Sequence, residues 1–286
     1  MEEFEYFEDE FTEFLKNRNC NERTIFGRLQ RVGSFFNNYG SLNEETYNEY
    51  YEYLNDNCKP STVNSSIIAL NLYVKFLEQK YNITLEKMCA KTIKIKKVQF
   101  LEDIATIDEY LFFRNKAKER NKDKLYVVCK IMATTGMRIH ETLQIRREHI
   151  ELGFIDFIGK GGKERRCYFT PTTQKEVLAL LDKHCVTDKQ SYVVSSNWNG
   201  KQLSWKDANV INKSMRKFAE DECELPKGLF HPHMFRHFFA KNFIKKYQNI
   251  ALLADLLGHS NLDTTRIYLK YTSREQREVV NEVVTW

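Results

Sequence analysis

HPHMFRHFFAKNFIKKYQNIALLADLLGHSNLDTTRIYLKY, residues 231–271, places histidine, arginine and tyrosine at regular intervals along one stretch of the chain. His233 and Arg236 are three residues apart, so a helix would present both on one face. Gly258 follows a pair of leucines and predicts the end of a second helix, which leaves His259 in a turn. Imidazole and guanidinium groups bind phosphate, and the stretch therefore predicts a phosphodiester site.

Tyr268 lies nine residues after His259, on a short segment that Asp263-Thr264-Thr265 would cap at its start. The hydroxyl of tyrosine has a pKa of about 10, so as a nucleophile it needs a neighbour that takes its proton or stabilises its oxyanion. The histidines and arginine of the same stretch could do this, which indicates attack by tyrosine on phosphorus. Tyr271, one turn further on, is the competing candidate.

Two further motifs add cations to this set. TGMRIHE, residues 135–141, puts Arg138 after a glycine and Glu141 one turn later, where the carboxylate can orient the guanidinium. FIGKGGKER, residues 157–165, predicts two short strands joined by a Gly-Gly turn, with Lys160 at the tip. The loop lacks the glycine spacing of a nucleotide-binding P-loop, so it is not expected to bind a nucleotide.

Taken together, TGMRIHE, GKGGKER, HPHMFRH, LLGHSNLDTT and the tyrosine that follows resemble the motifs of the tyrosine site-specific recombinases. This family includes phage integrases, Xer-type recombinases and some transposon resolvases, and the resemblance spans about residues 100–272. It implies an enzyme that cuts and rejoins double-stranded DNA at a specific site through a 3′-phosphotyrosyl intermediate, with no metal, ATP or other cofactor. It also implies a homotetramer that integrates or excises a mobile element, or resolves cointegrates or dimers.

The same resemblance assigns a catalytic set, which is Arg138, Lys160, His233, Arg236, His259 and Tyr268. In this set the tyrosine is the nucleophile, the arginines clamp the phosphate oxygens, and the lysine protonates the leaving 5′ oxygen. The first histidine is a general base or a phosphate ligand, and the second donates a hydrogen bond to phosphate. Glu141 is expected to orient Arg138, and Lys163 is the alternative acid.

The remaining histidines are expected to be structural: His140, His149, His184, His231 and His237. Although the three histidines at 231, 233 and 237 could suggest zinc, no cysteine or acidic partner stands at ligand spacing, so no metal site is predicted. Two other classes of protein remain open. One is a DNA topoisomerase, which would relax any supercoiled DNA without a specific site. The other is a DNA-binding relative that forms no covalent adduct.

Composition suits a protein of one or two domains with cores of its own, because the 286 residues are 42% hydrophobic and 29% charged. No apolar run is long enough to cross a membrane, and the acidic start is unlike a signal peptide. The seven cysteines are scattered without a Cys-X-X-Cys motif, so neither a disulfide framework nor a zinc site is predicted. The expected location is the cytoplasm of a prokaryotic cell, with the nucleoid.

Charge divides the chain into two parts. Residues 1–90 carry 9 basic and 15 acidic side chains, whereas residues 91–286 carry 35 and 24, so DNA is expected mainly on the second part. The expected fold is mainly α, with a small antiparallel β-sheet in the catalytic domain. The predicted domains are a four-helix core-binding (SAM-like) domain at 1–86, a basic linker at 87–104 and a catalytic domain with a C-terminal exchange tail at 105–286.

KMCAKTIKIKK, residues 87–97, has five lysines and no acidic residue, which favours a linker that crosses DNA and neutralises phosphates. An exposed edge strand with protective lysines is the alternative. The predicted DNA contacts are Lys91, Lys94, Lys96, Lys97, Lys163 and Arg165.

Periodicity and caps predict the individual elements. Helical spacing begins at Phe4, and further helices are expected after Asn21, Asn43 and Pro60 in the first domain. In the second domain a capping box begins a helix at Thr106, a proline-led helix begins at Pro171 and another helix spans 205–222. Residues 191–195 are expected to form a short strand.

The C-terminal segment has an apolar strip that consists of Val279, Val280, Val283 and Val284 on a short helix before Trp286. Such a helix is too small to be stable alone. In the family that the motifs resemble, a tail of this kind docks into a neighbouring subunit. Packing back onto its own domain is the alternative.

Overall fold

The computed structural model describes residues 3–94, 104–158, 164–259, 261–270 and 273–284. The chain divides into two compact units, Met1–Lys97 and Val98–Trp286, which we call the N-terminal unit and the C-terminal unit. The predicted mainly α fold with a small antiparallel sheet is confirmed. Among the described residues no helix combines the length and apolar character that a membrane crossing requires.

Four helices form the N-terminal unit: α1 Glu8–Asn17, α2 Glu22–Tyr39, α3 Glu44–Asn57 and α4 Pro60–Tyr81. The predicted caps are present, since the Asn21 side chain accepts a hydrogen bond from the Thr24 amide and Asn43 forms a capping box with Thr46. Helical spacing placed the first helix too early. Phe4 instead pairs with Leu42 in a short antiparallel bridge, which takes its backbone groups out of the helix.

The core of this unit is rich in aromatic rings. Tyr73 and Phe11 are completely buried, and their rings meet edge to face with centroids 4.9 Å apart. Phe35 and Phe36 pack edge to face on the same core. Aromatic contacts of this kind hold the four helices together through apolar burial.

The helices of the C-terminal unit are α5 Ile107–Glu119, α6 Asp123–Thr135, α7 Ile139–Thr142, α8 Arg147–Leu152, α9 Pro171–Lys183, α10 Trp205–Asp221, α11 Pro232–Lys246, α12 Ile250–Leu257, α13 Leu262–Arg266 and α14 Ser273–Val283. The predicted hairpin is formed by β1 Phe154–Ile158 and β2 Glu164–Tyr168, with Ile158 opposite Glu164. The tip of this hairpin, which holds Lys160 and Lys163, lies outside the described residues.

Helix α6 runs through the core and is buried on nearly every face. It ends at Gly136, whose φ of +67° suits glycine. A Cβ at this position would lie 2.5 Å from the Phe239 ring and 2.9 Å from Leu257, so only glycine lets α6, α11 and α12 approach here. Because α6 ends here, the Gly136 carbonyl has no partner within the helix, and the close approach lets a side chain of α11 donate a hydrogen bond to it.

Two local predictions were wrong. Residues 191–195 do not form a strand, because Tyr192 makes only a single bridge with Arg146, whose segment turns at once into α8. Helix α13 is capped by Asn261, which accepts a hydrogen bond from the Asp263 amide, and not by the Asp263-Thr264-Thr265 segment. The bridge partner of Tyr192 is far away in sequence, whereas the cap of α13 lies two residues before the segment that the pattern covered.

Candidate active site

Arg236 lies at the centre of the site and ties the ends of two helices to α11. Its side chain donates one hydrogen bond of 2.8 Å to the Gly136 carbonyl, at the end of α6, and one of 2.5 Å to the Leu257 carbonyl, at the end of α12. The residue is only 4% exposed. Both carbonyls are groups that a helix end leaves without an internal partner, so Arg236 satisfies them and is itself fixed in position.

Glu141 joins two more guanidinium groups. It accepts a hydrogen bond from Arg138 Nη1 at 3.0 Å and pairs through its other oxygen with Arg165. Glu141 also accepts from the Arg138 amide at 2.7 Å, which fixes the start of α7. The expected orientation of Arg138 by Glu141 thus has a direct contact behind it.

Arg165 reaches the site from strand β2, and its side chain is only 6% exposed. Besides Glu141 it contacts the carbonyl of Leu257. Gly258 makes room for it, because a Cβ there would lie 2.5 Å from Arg165 Cδ. Arg165 therefore forms a buried ion pair inside the unit, and its predicted contact with DNA stays a prediction.

Positive charge is in excess here. Burial, followed by the neighbouring cations Arg138 and Arg165, lowers the pKa of Arg236 to about 10, while Glu141 acts in the opposite sense. Three guanidinium groups therefore share one carboxylate. A site of this kind gains electrostatic energy when an anion binds, and planar guanidinium groups suit the oxygens of a phosphodiester.

His259 follows α12 and faces Arg236. Its Nε2 is 3.1 Å from Arg236 Nη2, and its Nδ1 is 2.8 Å from Thr265 Oγ1. A guanidinium can only donate, so Nε2 accepts and the ring proton on Nδ1 points to Thr265. Burial, followed by Arg236, lowers the pKa of His259 to about 4, which keeps the ring neutral.

Tyr268 follows α13 and is 3% exposed. Its hydroxyl lies 2.9 Å from His237 Nδ1. Burial raises the pKa of this hydroxyl, whereas Arg236 and Arg138 lower it, so both cations are close enough to act on a phenolate. Lys241 of α11 donates a hydrogen bond of 2.5 Å to the Lys270 carbonyl. This bond holds the backbone that follows Tyr268 against α11.

His237 was expected to be structural, and its contact with Tyr268 was missed. A signal was present in the sequence, since His233 and His237 are four residues apart and share a face of α11. His233 itself lies in the first turn of that helix and is exposed. The pairing of His237 with a residue 31 positions later depends on tertiary packing, which periodicity does not report.

The other predicted site residues lie elsewhere or outside the description. Lys91 and Lys94 are exposed in the N-terminal unit. Outside the described residues are Lys96, Lys97, Lys160, Lys163 and Tyr271. The structure thus brings together Arg138, Glu141, Arg236, His259 and Tyr268, and adds Arg165 and His237.

Helix α14 contacts α11, the helix that Tyr268 also contacts. Glu275 pairs with Lys241 at 3.0 Å and also contacts Lys245, both on α11. Two valines of this helix, Val280 and Val283, are 54% and 59% exposed. The ion pairs of Glu275 thus hold the start of this helix against α11.

A sequence profile of the phage integrase family matches residues 93–275. The chain is 27% identical to TnP I resolvase of Bacillus thuringiensis over 297 residues, which cover 96% of this chain and 97% of that protein. Tyrosine recombinase XerC of Pseudomonas syringae is also 27% identical, over 185 residues that cover 64% of this chain and 56% of XerC.

The fold is also similar to that of solved structures. A lambda integrase tetramer bound to a Holliday junction matches with a TM-score of 0.69 and 15% identity, over 93% of this chain and 78% of that one. At this identity the likeness concerns the fold alone. The family profile, by contrast, spans more than half of the sequence and includes every residue of the cluster around Arg236. The chain therefore belongs to the phage integrase family, the tyrosine site-specific recombinases.

Proposed function

We propose that this chain recombines DNA at a specific site, with Tyr268 as its nucleophile. The hydroxyl oxygen attacks phosphorus, the bond to the 5′ oxygen breaks, and a 3′-phosphotyrosyl ester and a free 5′ hydroxyl result. The 5′ hydroxyl of a partner strand then attacks the ester and releases the tyrosine. Because the ester keeps the energy of the phosphodiester bond, the exchange needs neither ATP nor a metal ion.

The observation that carries this proposal is the excess of positive charge around a buried tyrosine. Arg138, Arg165 and Arg236 gather around Glu141, and two of these cations lower the pKa of the Tyr268 hydroxyl. A phosphodiester is the anion that such a pocket would hold while its charge grows in the transition state. The same cations would stabilise the phenolate as it forms.

The roles of the remaining residues follow from chemistry and family membership. Arg138 and Arg236 clamp the non-bridging oxygens, and Lys160 protonates the leaving 5′ oxygen, with Lys163 as the alternative acid. His233 is a general base or a phosphate ligand. To donate to the phosphate, His259 must release Nε2 from Arg236 and carry the ring proton on Nε2, because in the free protein Nε2 accepts from that guanidinium and the proton is on Nδ1.

Double-stranded DNA and further copies of this chain are the proposed partners. The similarity to a resolvase along nearly the whole chain supports a role in resolving cointegrates or moving a mobile element. A tetramer is supported by the lambda integrase assembly of similar fold. The exposed valines of α14 are the surface that we propose docks into a neighbouring subunit, and the lysines before the C-terminal unit are proposed to contact DNA.

Covalent capture tests the proposal. Wild type and Tyr268→Phe are mixed with a fragment library from the source genome, the protein is denatured, and DNA that stays attached is sequenced. Adducts in wild type alone, at one recurring sequence, are the expected result. Adducts in both proteins would transfer the role to another tyrosine such as Tyr271. Adducts without a recurring sequence, together with relaxation of any supercoiled plasmid, would indicate a topoisomerase instead.

A further inference from the structure

His237 and Tyr268 form a contact that the family motifs do not assign. His237 Nδ1 lies 2.9 Å from the tyrosine hydroxyl, and the two rings are tilted with centroids 5.6 Å apart. Both distance and ring geometry fit a hydrogen bond to the imidazole edge. The hydroxyl is the atom that would attack phosphorus, so its direction in the resting enzyme matters for the reaction.

The charge and the tautomer of His237 together decide which atom donates. Burial, and after it the nearby cationic forms of His233, His231 and Arg236, together lower the pKa of His237 to about 4. The ring is therefore neutral at physiological pH, and Nδ1 keeps its lone pair when Nε2 carries the proton. Burial raises the pKa of Tyr268, so its hydroxyl is protonated and donates to Nδ1.

The position of His237 in the chain links the nucleophile to the phosphate clamp. His237 directly follows Arg236 on α11, and Arg236 is anchored by hydrogen bonds to the Gly136 and Leu257 carbonyls. The distance between the group that holds the hydroxyl and the group that binds phosphate is therefore set by one rigid helix. Reaction rates depend strongly on such alignment.

We propose that His237 is a positioning residue for the nucleophile, whose Nδ1 accepts the hydroxyl hydrogen bond of Tyr268 and aims that oxygen at the bound phosphate. This inference rests on the proposed function, since it presupposes that Tyr268 attacks. His237 acts through the tyrosine alone and exchanges no proton with the DNA. In its absence the phenol can turn within its cavity, and the fraction of molecules ready to attack falls.

Two substitutions separate hydrogen bonding from ring shape. Asn at position 237 offers an amide oxygen close to the place of Nδ1, whereas Phe keeps a ring and has no acceptor. We expect His237→Phe to slow single-turnover cleavage about tenfold, the effect of losing one hydrogen bond worth roughly 1.4 kcal/mol. His237→Asn should stay within about threefold of wild type, and the affinity for DNA should not change.

His149 provides the matched control, because its Nδ1 also accepts a hydrogen bond, at 3.0 Å from the Arg146 amide, but at the start of α8. The substrate is a nicked duplex that carries the captured sequence, prepared with oxygen or with sulfur at the 5′ bridging position. Sulfur leaves without an acid, so it rescues defects in leaving-group protonation. The defect of His237→Phe should persist with sulfur, and the His149 substitutions should cleave at the wild-type rate.

A measurement on the free protein does not depend on a DNA site. In a protein with ¹⁵N-labelled histidine, the Nδ1 resonance of His237, assigned with His237→Asn, should move toward that of a non-bonded nitrogen in Tyr268→Phe. An unmoved resonance would overturn the proposal. So would wild-type cleavage by His237→Phe, rescue of that variant by sulfur, or an equally slow His237→Asn. Covalent adducts in Tyr268→Phe would instead overturn the assignment of the nucleophile.

Discussion

Two buried tyrosines, Tyr73 in the N-terminal unit and Tyr268 in the C-terminal unit, have nearly the same exposure and opposite surroundings. Tyr73 is 0% exposed, and its hydroxyl donates 2.7 Å to the Glu5 carbonyl and accepts from the Phe7 amide at 2.9 Å. Tyr268 is 3% exposed, and its hydroxyl meets the imidazole of His237 with two guanidinium groups nearby. Burial is therefore common to a core tyrosine and to a candidate nucleophile.

The difference lies in what stabilises the phenolate. Burial raises the pKa of both hydroxyls. At Tyr73 the Phe7 amide lowers the pKa while Tyr6, Tyr81 and Glu10 raise it, whereas at Tyr268 the charges of Arg236 and Arg138 lower it. Tyr73 is bonded to backbone groups that cannot move without unfolding the start of the chain. A buried tyrosine becomes a plausible nucleophile when the surrounding charges favour its anion, and that condition is met only by the second of this pair.

The largest effect is expected from removing each hydroxyl in turn. Tyr268→Phe should abolish covalent adduct formation, because the attacking atom is gone, and should lower the free energy of unfolding by less than Tyr73→Phe does, since only the single hydrogen bond to His237 is lost. Tyr73→Phe should keep cleavage and lower the free energy of unfolding by about 1–3 kcal/mol, since it leaves the Phe7 amide and the Glu5 carbonyl without this partner. Gel assays for adducts and denaturant unfolding measure the two quantities. Loss of adducts in Tyr73→Phe at unchanged DNA affinity would contradict the division of roles.

A second large effect is expected from Arg236→Lys, which keeps the charge beside Tyr268 and loses the two-pronged geometry. One ammonium cannot reach both the Gly136 and Leu257 carbonyls in the way the guanidinium does. We expect cleavage to fall by roughly 10²–10³ and stability by about 1–3 kcal/mol. Arg166→Lys is the control, because Arg166 forms an exposed pair with Asp156 on the hairpin. Equal effects of the two substitutions would show that charge alone suffices at position 236.

Sequence patterns predicted most helices of both units because their signals are local. Asn21, Asn43 and Thr106 cap helices through residues three positions away, and Gly136 and Gly258 end helices with a left-handed residue. Where the partner was not local, the prediction failed. The extended pairing of residue 4 with residue 42 was missed for this reason.

The residues of the candidate site show the same difference between local signals and distant partners. The motif residues could be named from their spacing, but the partners that fix them are far apart in sequence. Arg165 pairs with Glu141 across 24 positions and with the Leu257 carbonyl across 92, and His237 meets Tyr268 across 31. A long side chain such as arginine can reach DNA or fold inward with equal ease, and only the packing of α12 against β2 decides between them.

A smaller effect is expected from Glu141→Gln, which removes the one carboxylate that Arg138 and Arg165 share. Arg138 would lose its ionic partner and much of its orientation, so cleavage should slow by about tenfold while DNA affinity is not weakened, because the net positive charge rises. Glu148→Gln, at a partly exposed pair with Arg146, should change neither quantity. Rates and affinities measured on one captured site decide this. Weaker DNA binding in Glu141→Gln would argue against an anion pocket.

The smallest expected effect is a difference between the two units in how much stability they lose at acidic pH. All seven histidines lie between residues 140 and 259, and the pKa values of His237 and His259 are lowered to about 4 in the folded chain. The groups that act on them are Arg236, Arg138, Arg165 and the neighbouring histidines.

Unfolded histidine has a pKa of about 6.5, so below that pH the unfolded chain binds more protons and stability falls as pH drops from about 6.5 toward 4. At pH 5.5 each of the two rings should cost about 1 kcal/mol relative to pH 7.5. Hydrogen exchange, corrected for intrinsic rates, should therefore quicken in α11 and not in α4, and His237→Asn should reduce the change in α11. Equal acceleration in both helices would mean that carboxylates, and not these two neutral rings, set the acid response of the site.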